Sequence, residues 1–510
     1  MSDARERAGR YVVLAAVFGA SVAFAALVIH PWVAAPLAFD TAAAVLHFDR
    51  IVSGHHLELP LTTTPKPLLT VLYGVIYSAT GDWRAISLAA LGAWGLCVVS
   101  TAVLAWRLGG VVAAVFSAMS LVLSARLLLE TSAGLASVWA LLLWIVAGLA
   151  VTSRQPRWGI AGAALGLAAL GRLETFGVIG LGLVVLAVLR LGPKRWRRPM
   201  PRRAWLISIG LLALPITCLH DLLLTGDPFF WTTVVSRYST AAESAGRLPS
   251  VGAVARQLAG LALGQAAVSV LAVVGAVALA ARARWPVLIG LIALGPGMAL
   301  ALLLLAARHL FVDPRYLVPI SVAMILAAAI GLGAIRVPDL ARLLGARPSI
   351  GDARPAAGRR IAQLGLVSLI VAAIAIVGSP TIGPLDRSVR ARIASARHLA
   401  RTTDLALSQM RRAPAGPSAV VIVPVPVRPR VAVDLNLSLG QVGSYRDLRT
   451  WAAGSAKPGQ LILVDLDPSA PSSAPAEFRL SVPATVAGVR MIPLLSDPAN
   501  GAWLLQVGAP

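Results

Sequence analysis

Long apolar runs alternate with short polar stretches along most of the chain. The runs recur from residue 11 to about residue 379, and many approach the roughly 20 residues that a helix needs to cross a bilayer. Of the 510 residues, 57% are hydrophobic and only 13% are charged. A soluble protein of this size could not bury so much apolar surface. The pattern therefore predicts a polytopic α-helical membrane protein.

Basic residues between the runs predict the orientation of the helices, because loops rich in Arg and Lys stay in the cytoplasm. The clearest clusters are 154–157, 194–203, 282–284 and 336–360, and residues 5–10 carry three more arginines. All of them share the inner side if the chain crosses the membrane eleven times, with the N-terminus inside and the C-terminal tail outside. The predicted spans are residues 11–29, 86–106, 110–128, 134–152, 158–171, 175–192, 204–222, 257–281, 286–306, 317–335 and 361–379.

The apolar stretch 67–80 (PLLTVLYGVIYSAT) is an exception. Its 14 residues are too few to span, and counting it as a span would move every later basic cluster to the outside. We predict a juxtamembrane helix at the outer boundary, within an external loop at residues 30–85. The transmembrane domain then occupies residues 1–379, and the net charge of +23 indicates orientation and contact with anionic lipid, not with nucleic acid.

The tail, residues 380–510, has a different pattern. Four segments alternate like β-strands and are separated by Pro, Ser and Gly turns: 418–427, 459–467, 486–495 and 502–508. Residues 386–412 have helical spacing. We predict a small extracytoplasmic domain of the α/β or β class.

Charged and polar residues that border the apolar runs are candidates for chemistry, because charges near a membrane interior are costly. On the predicted external side they are Asp40, Asp49, His55, Glu130, Arg172, Glu174, Arg315 and Tyr316. Each has a simpler interpretation, such as a helix cap for Asp40, an exposed turn for Glu130, or a mutual pair for Arg172 and Glu174. Arg315 could extend toward lipid phosphate, and His55 could be interfacial. Separate simple causes do not explain why all of them lie at one depth on one side.

Lys66, between two prolines in TTTPKPLLT, adds a cation whose backbone is restricted on both sides. A carboxylate at the membrane surface can act as a general base toward a hydroxyl group, and Lys or Arg can bind a phosphate. The set therefore indicates a site for an anionic, lipid-linked substrate.

The same residues resemble the GT-C superfamily of membrane glycosyltransferases, near the branch of protein O-mannosyltransferases and aminoarabinose transferases. The resemblance covers residues 11–335. It begins with Asp40 in the first external loop, continues through Gly54 and Pro60 to Lys66-Pro67-Leu68-Leu69, and ends with Gly81 and Arg84. The family motif reads K-P-P-L, so Leu68 departs from it, and Glu130 has no adjacent Asp. GRLETF, TGDPFFW and DPRYLVP also resemble stretches of bacterial members.

The resemblance implies a catalytic base at Asp40 and a second external acid at Glu130. It implies that Lys66 contacts the donor phosphate, and Arg172 and Arg315 are further candidates to bind it. Asp49, His55, Glu174 and Tyr316 are candidates for the rest of the substrate site.

The expected function is transfer of a sugar from a polyprenyl-phosphate donor to a glycan, lipid or protein acceptor outside the cytoplasmic membrane. The absence of a G-x-G-x-x-G motif or a P-loop agrees with a lipid-phosphate donor. A transporter or flippase of lipid-linked sugars and a non-catalytic membrane scaffold are the alternatives. No cofactor is required by the pattern, and a divalent metal ion is left open.

Overall fold

The computed structural model describes most of the helical region and most of the C-terminal domain. The described residues are 37–57, 64–122, 124–191, 202–244, 250–282, 284–310, 316–334, 398–411, 420–445, 448–465, 485–486, 488–497 and 502–507, with the single positions 19 and 248. Apart from position 19, the predicted spans 11–29 and 361–379 lie outside them.

The helical region follows the apolar pattern of the sequence. Its helices are α1 (Phe39–Val52), α2 (Pro67–Thr80), α3 (Trp83–Val122), α4 (Ala125–Ser132), α5 (Ala136–Val151), α6 (Trp158–Gly171), α7 (Thr175–Leu191), α8 (Ala213–Thr225), α9 (Phe230–Ser244), α10 (Val251–Gly264), α11 (Ala266–Ala281), α12 (Trp285–Ile292), α13 (Met298–Ala307) and α14 (Leu317–Ala334). A 3₁₀ segment, Arg202–Leu212, leads into α8, and a π turn, Ala293–Gly297, joins α12 to α13.

Four apolar elements within the described ranges are long enough to cross a membrane alone: Trp83–Val122, Arg202–Thr225, Trp285–Ala307 and Leu317–Ala334. Shorter apolar helices at Ala136–Val151, Trp158–Gly171 and Thr175–Val188 coincide with three further predicted spans. The prediction of a polytopic helical membrane fold is confirmed.

Two predicted spans differ in detail from the structure. The span 257–281 is broken at Gln265, where Val251–Leu263 and Ala266–Ala281 meet at 84°. The spans 86–106 and 110–128 correspond to α3, which breaks at Gly110 (φ 82°, ψ −168°), and the second ends early, at Val122, before the short helix α4. That backbone conformation is open to glycine and nearly closed to other residues.

Helices of the bundle approach closely where glycines face a neighbouring backbone. A Cβ atom on Gly275 of α11 would lie 1.9 Å from the Ala327 carbonyl oxygen of α14, and one on Gly331 would lie 2.1 Å from the Leu271 carbonyl oxygen. Small residues at such a contact let two apolar helices pack by van der Waals attraction within a membrane. This contact anchors α14 in the centre of the bundle.

The C-terminal domain has mixed α/β structure, as predicted. Its described elements are a helix at residues 398–411, β1 (Val421–Pro424), a helix at Arg428–Asp434, β2 (Val442–Tyr445), a helix at Leu448–Ser455, β3 (Leu461–Asp465), β4 (Thr485–Val486), β5 (Val489–Asp497) and β6 (Ala502–Val507). The sheet order is β2-β1-β3-β6-β5-β4, with β1 parallel to β2 and β3 and the other pairs antiparallel. The sequence pattern missed β2 and the two short helices that follow β1 and β2.

The sheet domain and the helical region share a hydrophobic core. Ala43 and Leu46 of α1 are fully buried in the same cluster as Val423, Val431 and Leu463 of the C-terminal domain. Helix α1 therefore belongs to both parts of the molecule.

Asp434 adds a polar contact between the two parts. Its Oδ1 accepts hydrogen bonds from the Tyr77 hydroxyl at 2.7 Å and from the Trp83 indole nitrogen at 2.9 Å, and its Oδ2 lies 3.4 Å from Arg430 Nε. Arg50 of α1 donates to the Leu437 carbonyl oxygen at 2.8 Å. The C-terminal domain is thus fastened to the end of α1, the end of α2 and the start of α3.

Candidate functional site

The candidate site is built around an ion pair between α1 and the residue that precedes α2. Lys66 Nζ lies 3.0 Å from Asp40 Oδ2, and the two side chains keep 19% and 18% of their surface exposed. Asp40 is in the first turn of α1, where a carboxylate is favoured by the helix dipole, while Ala38 occupies the N-cap. The interpretation of Asp40 as the helix cap is therefore not what the structure shows.

The backbone around Lys66 explains its position. Lys66 is the N-cap of α2 with φ −130° and ψ 85°, and Pro67 opens the helix at a position where its missing N–H is not needed. Helix α2 ends after Thr80, where Gly81 adopts the left-handed conformation (φ 63°) that glycine accepts without strain. The predicted 14-residue helix is found with the same bounds.

The turn that follows Glu130 packs against both helices. The Thr41 hydroxyl donates to the Ala133 carbonyl oxygen at 2.9 Å, and the Tyr73 hydroxyl of α2 donates to the Gly134 carbonyl oxygen at 2.8 Å. Trp139 in turn donates from its indole nitrogen to the Tyr73 oxygen at 2.8 Å. These bonds bring the end of α4, with Glu130, to the start of α1 and the middle of α2.

Arg172 is the second cation of the site. It lies in the turn between α6 and α7, is 8% exposed, and donates to Ser137 Oγ at 2.7 Å and to Glu174 Oε1 at 3.3 Å. The Tyr316 ring faces its guanidinium, 5.3 Å from the ring centre, which is a cation–π contact. Arg172 and Glu174 therefore do pair with each other, as the simpler interpretation expected, and they do so within a larger cluster.

Electrostatic interactions connect Arg172 to both acidic candidates. Burial works against the guanidinium charge, but the attraction of Glu174 and then of Glu130 outweighs it and raises the pKa of Arg172. Burial likewise works against the Glu174 carboxylate, yet Arg172, a backbone hydrogen bond and Lys66 together lower the pKa of Glu174. Both groups are thus charged at neutral pH, and Lys66 acts on the same cluster.

The structure brings together six of the residues singled out from the sequence and separates others. The residues that converge are Asp40, Lys66, Glu130, Arg172, Glu174 and Tyr316. Asp49 is exposed and follows Asp40 by nine residues. Nine residues are two and a half helical turns, so Asp49 lies on the opposite face of α1. His55 is exposed beyond the far end of α1, roughly 20 Å along the helix from Asp40. Arg315 lies outside the described residues.

Three further residues lie beside the ion pair and were missed. His47 of α1 and His220 and Asp221 of α8 are all buried, and the His47 and His220 rings are 6.4 Å apart. A signal for the last two was present in the sequence: both fall inside the predicted span 204–222, where an ionisable residue suggests function. His47 gave no comparable signal, because one histidine among apolar residues is typical of a helix core.

The described residues show no arrangement that fits a metal ion. No group of three or more His, Cys, Asp and Glu side chains among them could hold one. Beside Asp40, the position where a cation would compensate the carboxylate is taken by the Lys66 ammonium.

The chain thus has a helical membrane region with a charged site where short helices meet, followed by an α/β domain that packs against α1 and α2. The fold-level resemblance predicted from the residues is confirmed. Solved structures with this fold include ArnT from Cupriavidus metallidurans bound to undecaprenyl phosphate, with a TM-score of 0.55 and 15% identity over 96% of this chain and 99% of that chain.

Two other solved structures are similar. ArnT from Cupriavidus metallidurans in the apo state has a TM-score of 0.52 and 16% identity over 97% of this chain and 100% of that chain. The oligosaccharyltransferase of Archaeoglobus fulgidus, tethered to an acceptor peptide containing the NVT sequon, has a TM-score of 0.52 and 12% identity over 89% of this chain and 69% of that chain. No protein-family model and no curated protein sequence matches the chain.

Proposed function

We propose that this protein transfers a sugar from a polyprenyl-phosphate donor to a hydroxyl-bearing acceptor, at the outer face of the cytoplasmic membrane. The observation that carries the proposal is the partly exposed pair of Asp40 and Lys66, which places a carboxylate and an ammonium 3.0 Å apart at the start of two helices. A base and a phosphate-binding cation are the two groups that this reaction needs close together. The bound undecaprenyl phosphate of the similar ArnT structure supports the choice of donor class.

In the proposed reaction, the Asp40 carboxylate accepts the proton of the acceptor hydroxyl. At the same time, the oxygen of that hydroxyl bonds to the anomeric carbon of the sugar. The bond between that carbon and the phosphate oxygen breaks, and its electron pair stays on the phosphate. The donor leaves as polyprenyl phosphate. Lys66 stabilises the charge that develops on the leaving phosphate, because a fixed cation costs no reorganisation at that moment.

Arg172 has a different role in this proposal. Its guanidinium is buried and occupied by Ser137, Glu174 and Tyr316, so it is held as a fixed positive charge behind the pair. Glu130 compensates this charge and is the candidate for a second acidic group, while Glu174 and Tyr316 hold the guanidinium in place.

The C-terminal domain is the candidate for contact with the acceptor. It packs against α1 and α2, the two helices that present Asp40 and Lys66. Whether the acceptor is a glycan, a lipid or a protein is determined by identifying the acceptor in cells.

The test uses the purified full-length protein in vesicles with a radiolabelled polyprenyl-phosphate sugar. Release of polyprenyl phosphate together with label on an acceptor supports transfer. Movement of the labelled lipid to the other leaflet without cleavage would instead identify a flippase, and binding without either change would identify a scaffold. The glycan profile of a deletion strain then identifies the sugar and the acceptor by the linkage that is missing.

A further inference from the structure

A buried polar cluster lies next to the Asp40–Lys66 pair and has no part in the mechanism above. It consists of His47 on α1, Thr70 on α2, and His220 and Asp221 on α8, and we call it the histidine cluster. All four side chains are less than 9% exposed, and Asp221 is fully buried. Ionisable groups inside an apolar helix are costly, so they are retained where they contribute to function.

Asp221 and His220 connect three elements. Asp221 Oδ1 is 3.3 Å from His220 Nδ1, and Asp221 Oδ2 accepts a hydrogen bond from the Trp231 backbone nitrogen, 2.8 Å away, in α9. His220 Nε2 lies 3.2 Å from Thr70 Oγ1 in the first turns of α2. Thr70 itself donates its backbone N–H to the Lys66 carbonyl oxygen at 2.9 Å. His220 and Asp221 thus connect α8 to Thr70 in the first turns of α2, one turn from Lys66.

His47 closes the cluster from the side of Asp40. It follows Asp40 by seven residues, about two turns, so both side chains lie on the same face of α1. Its ring is 1% exposed and meets the His220 ring edge-on, and neither of its nitrogens has a hydrogen-bond partner among the described residues. Burial, with His220 and Lys66 nearby, lowers the pKa of His47 to about 3, so the ring is neutral. Burying two ring nitrogens without hydrogen-bond partners costs free energy, and an apolar side chain here would avoid that cost. This argues against a purely structural role for His47.

We propose that His47, His220 and Asp221 are positioning residues that set the distance between Asp40 and the Lys66 ammonium, an inference that rests on the proposed function. The two charges sit on different helices, and Lys66 has a flexible side chain, so its reach depends on where α2 begins. The histidine cluster joins α1, α2 and α8 at that point. Small displacements of a reacting group lower rates strongly, so such a support has a large effect without touching the substrate.

The reactivity of the Lys66 amine toward acylation reports how closely Lys66 is paired with Asp40. The chain contains three lysines, Lys66, Lys194 and Lys457. Lys457 is exposed in the turn before β3 and serves as an internal reference. Brief acylation of the full-length protein with an amine-reactive ester, followed by peptide mass spectrometry, gives the labelling of Lys66 relative to Lys457.

Thr70→Val is the main variant, because valine keeps the shape of threonine and removes only the hydroxyl that His220 contacts. We expect relative labelling of Lys66 to rise about two- to fivefold as the ion pair with Asp40 loosens. Thr70→Ser should restore the wild-type value. Thr217→Val is the matched control: Thr217 is also fully buried on α8, but within the described part of the chain its hydroxyl bonds only to Ala213 of the same helix. Wild-type labelling in Thr70→Val would overturn the proposal.

His47→Leu provides a second, independent variant. Because the buried imidazole lacks hydrogen-bond partners among the described residues, the leucine variant should unfold at the same or a higher temperature than the wild type. Its Lys66 labelling should nevertheless rise. Unchanged labelling of Lys66 in His47→Leu, whatever its thermal stability, would assign His47 to packing alone.

Labelling in the presence of undecaprenyl phosphate distinguishes a failure of the positioning role from a failure of the proposed function. If the donor phosphate binds Lys66, adding undecaprenyl phosphate to the wild-type protein should protect Lys66 from acylation. Failure of protection would count against the proposed function, while raised labelling in Thr70→Val would still support the positioning role. Protection in the wild type with unaltered labelling in the variants would keep the function and reject the positioning role.

Discussion

Lys66 shows how a single residue can be fixed by its neighbours in the chain. Pro65 and Pro67 flank it, and the second proline disfavours a helical conformation at Lys66 itself. The lysine therefore stays outside the helix, and α2 begins one residue later. An arginine at this position would bring a longer, planar group and is not equivalent to an ammonium that acts as a point charge.

Asp40→Asn tests the base directly. The amide keeps the shape of the carboxylate but cannot accept a proton, so we expect kcat to fall by about 10²–10⁴-fold with little change in donor binding. Sugar transfer by the purified variant is the measurement. Asp49→Asn is the control, because Asp49 is exposed on the opposite face of the same helix. Loss of transfer in Asp49→Asn with full activity in Asp40→Asn would reassign the base.

Much of the site was predictable from charges next to apolar runs. Asp40, Glu130, Lys66, Arg172 and Glu174 were all found in this way, since a charge near a membrane needs a reason. Asp49 and His55 were candidates for the rest of the substrate site, but the structure places both exposed and away from Asp40. His47 was missed because its neighbours made it look like an ordinary core residue.

At the level of helices, the apolar runs located the elements well because bilayer thickness fixes their length. Breaks within a run were harder to predict. Gln265 is one of three polar residues in the stretch 257–281, with Gln257 and Ser269, and nothing in composition distinguishes it from the other two, yet the chain turns there by 84°. The paired glycines at 109–110 gave a clearer signal, and α3 does break at Gly110.

Gly110→Ala tests that break. The φ of 82° and ψ of −168° suit only glycine, so alanine should destabilise the protein by about 1–3 kcal/mol. Gly92→Ala is the matched control on the same helix, because a Cβ there meets no atom within 4 Å and the backbone is helical. Replacing glycine within a helix should leave stability unchanged or raise it by about 0.5–1 kcal/mol. Thermal unfolding in detergent measures both, and equal effects would contradict the assigned geometry.

At the scale of the whole molecule, the C-terminal domain is part of the site's support. It shares a core with α1 and holds α2 and α3 through Asp434. The strand pattern of the tail predicted its class, because buried strands alternate visibly. Its docking was not predictable, since the contacts join residues hundreds of positions apart and depend on side chains that look like ordinary surface residues.

Asp434→Ala should loosen this docking. Two neutral donors and a guanidinium lose their acceptor, which should lower the free energy of unfolding by about 2–4 kcal/mol and speed proteolytic release of the C-terminal domain. Asp404→Ala is the control: Asp404 also pairs with Arg430 but is 61% exposed, so its loss should cost under about 0.5 kcal/mol. Equal protease sensitivity of the two variants would argue against Asp434 as the main contact.

The orientation of the chain stays a prediction that a reporter can test. The basic clusters indicate a cytoplasmic N-terminus and an extracytoplasmic C-terminal domain. An enzyme that is active only outside the cytoplasm, fused after Pro510, should therefore be active. A well-expressed but silent fusion would reverse the assignment, and with it the side of the membrane on which the Asp40–Lys66 pair lies.

The core shared by α1 and the sheet domain has a consequence for biosynthesis. Arg50 and its partner Leu437 are 387 residues apart, so a ribosome needs roughly 20 to 80 s to make the second after the first. During that interval Ala43 and Leu46 lack the neighbours that later bury them, and Tyr77 and Trp83 lack Asp434. A chain that stops before residue 420 therefore holds Asp40 and Lys66 and still lacks the contacts that the sheet domain makes with α1, α2 and α3, so the docking of these helices is completed only after that domain is made.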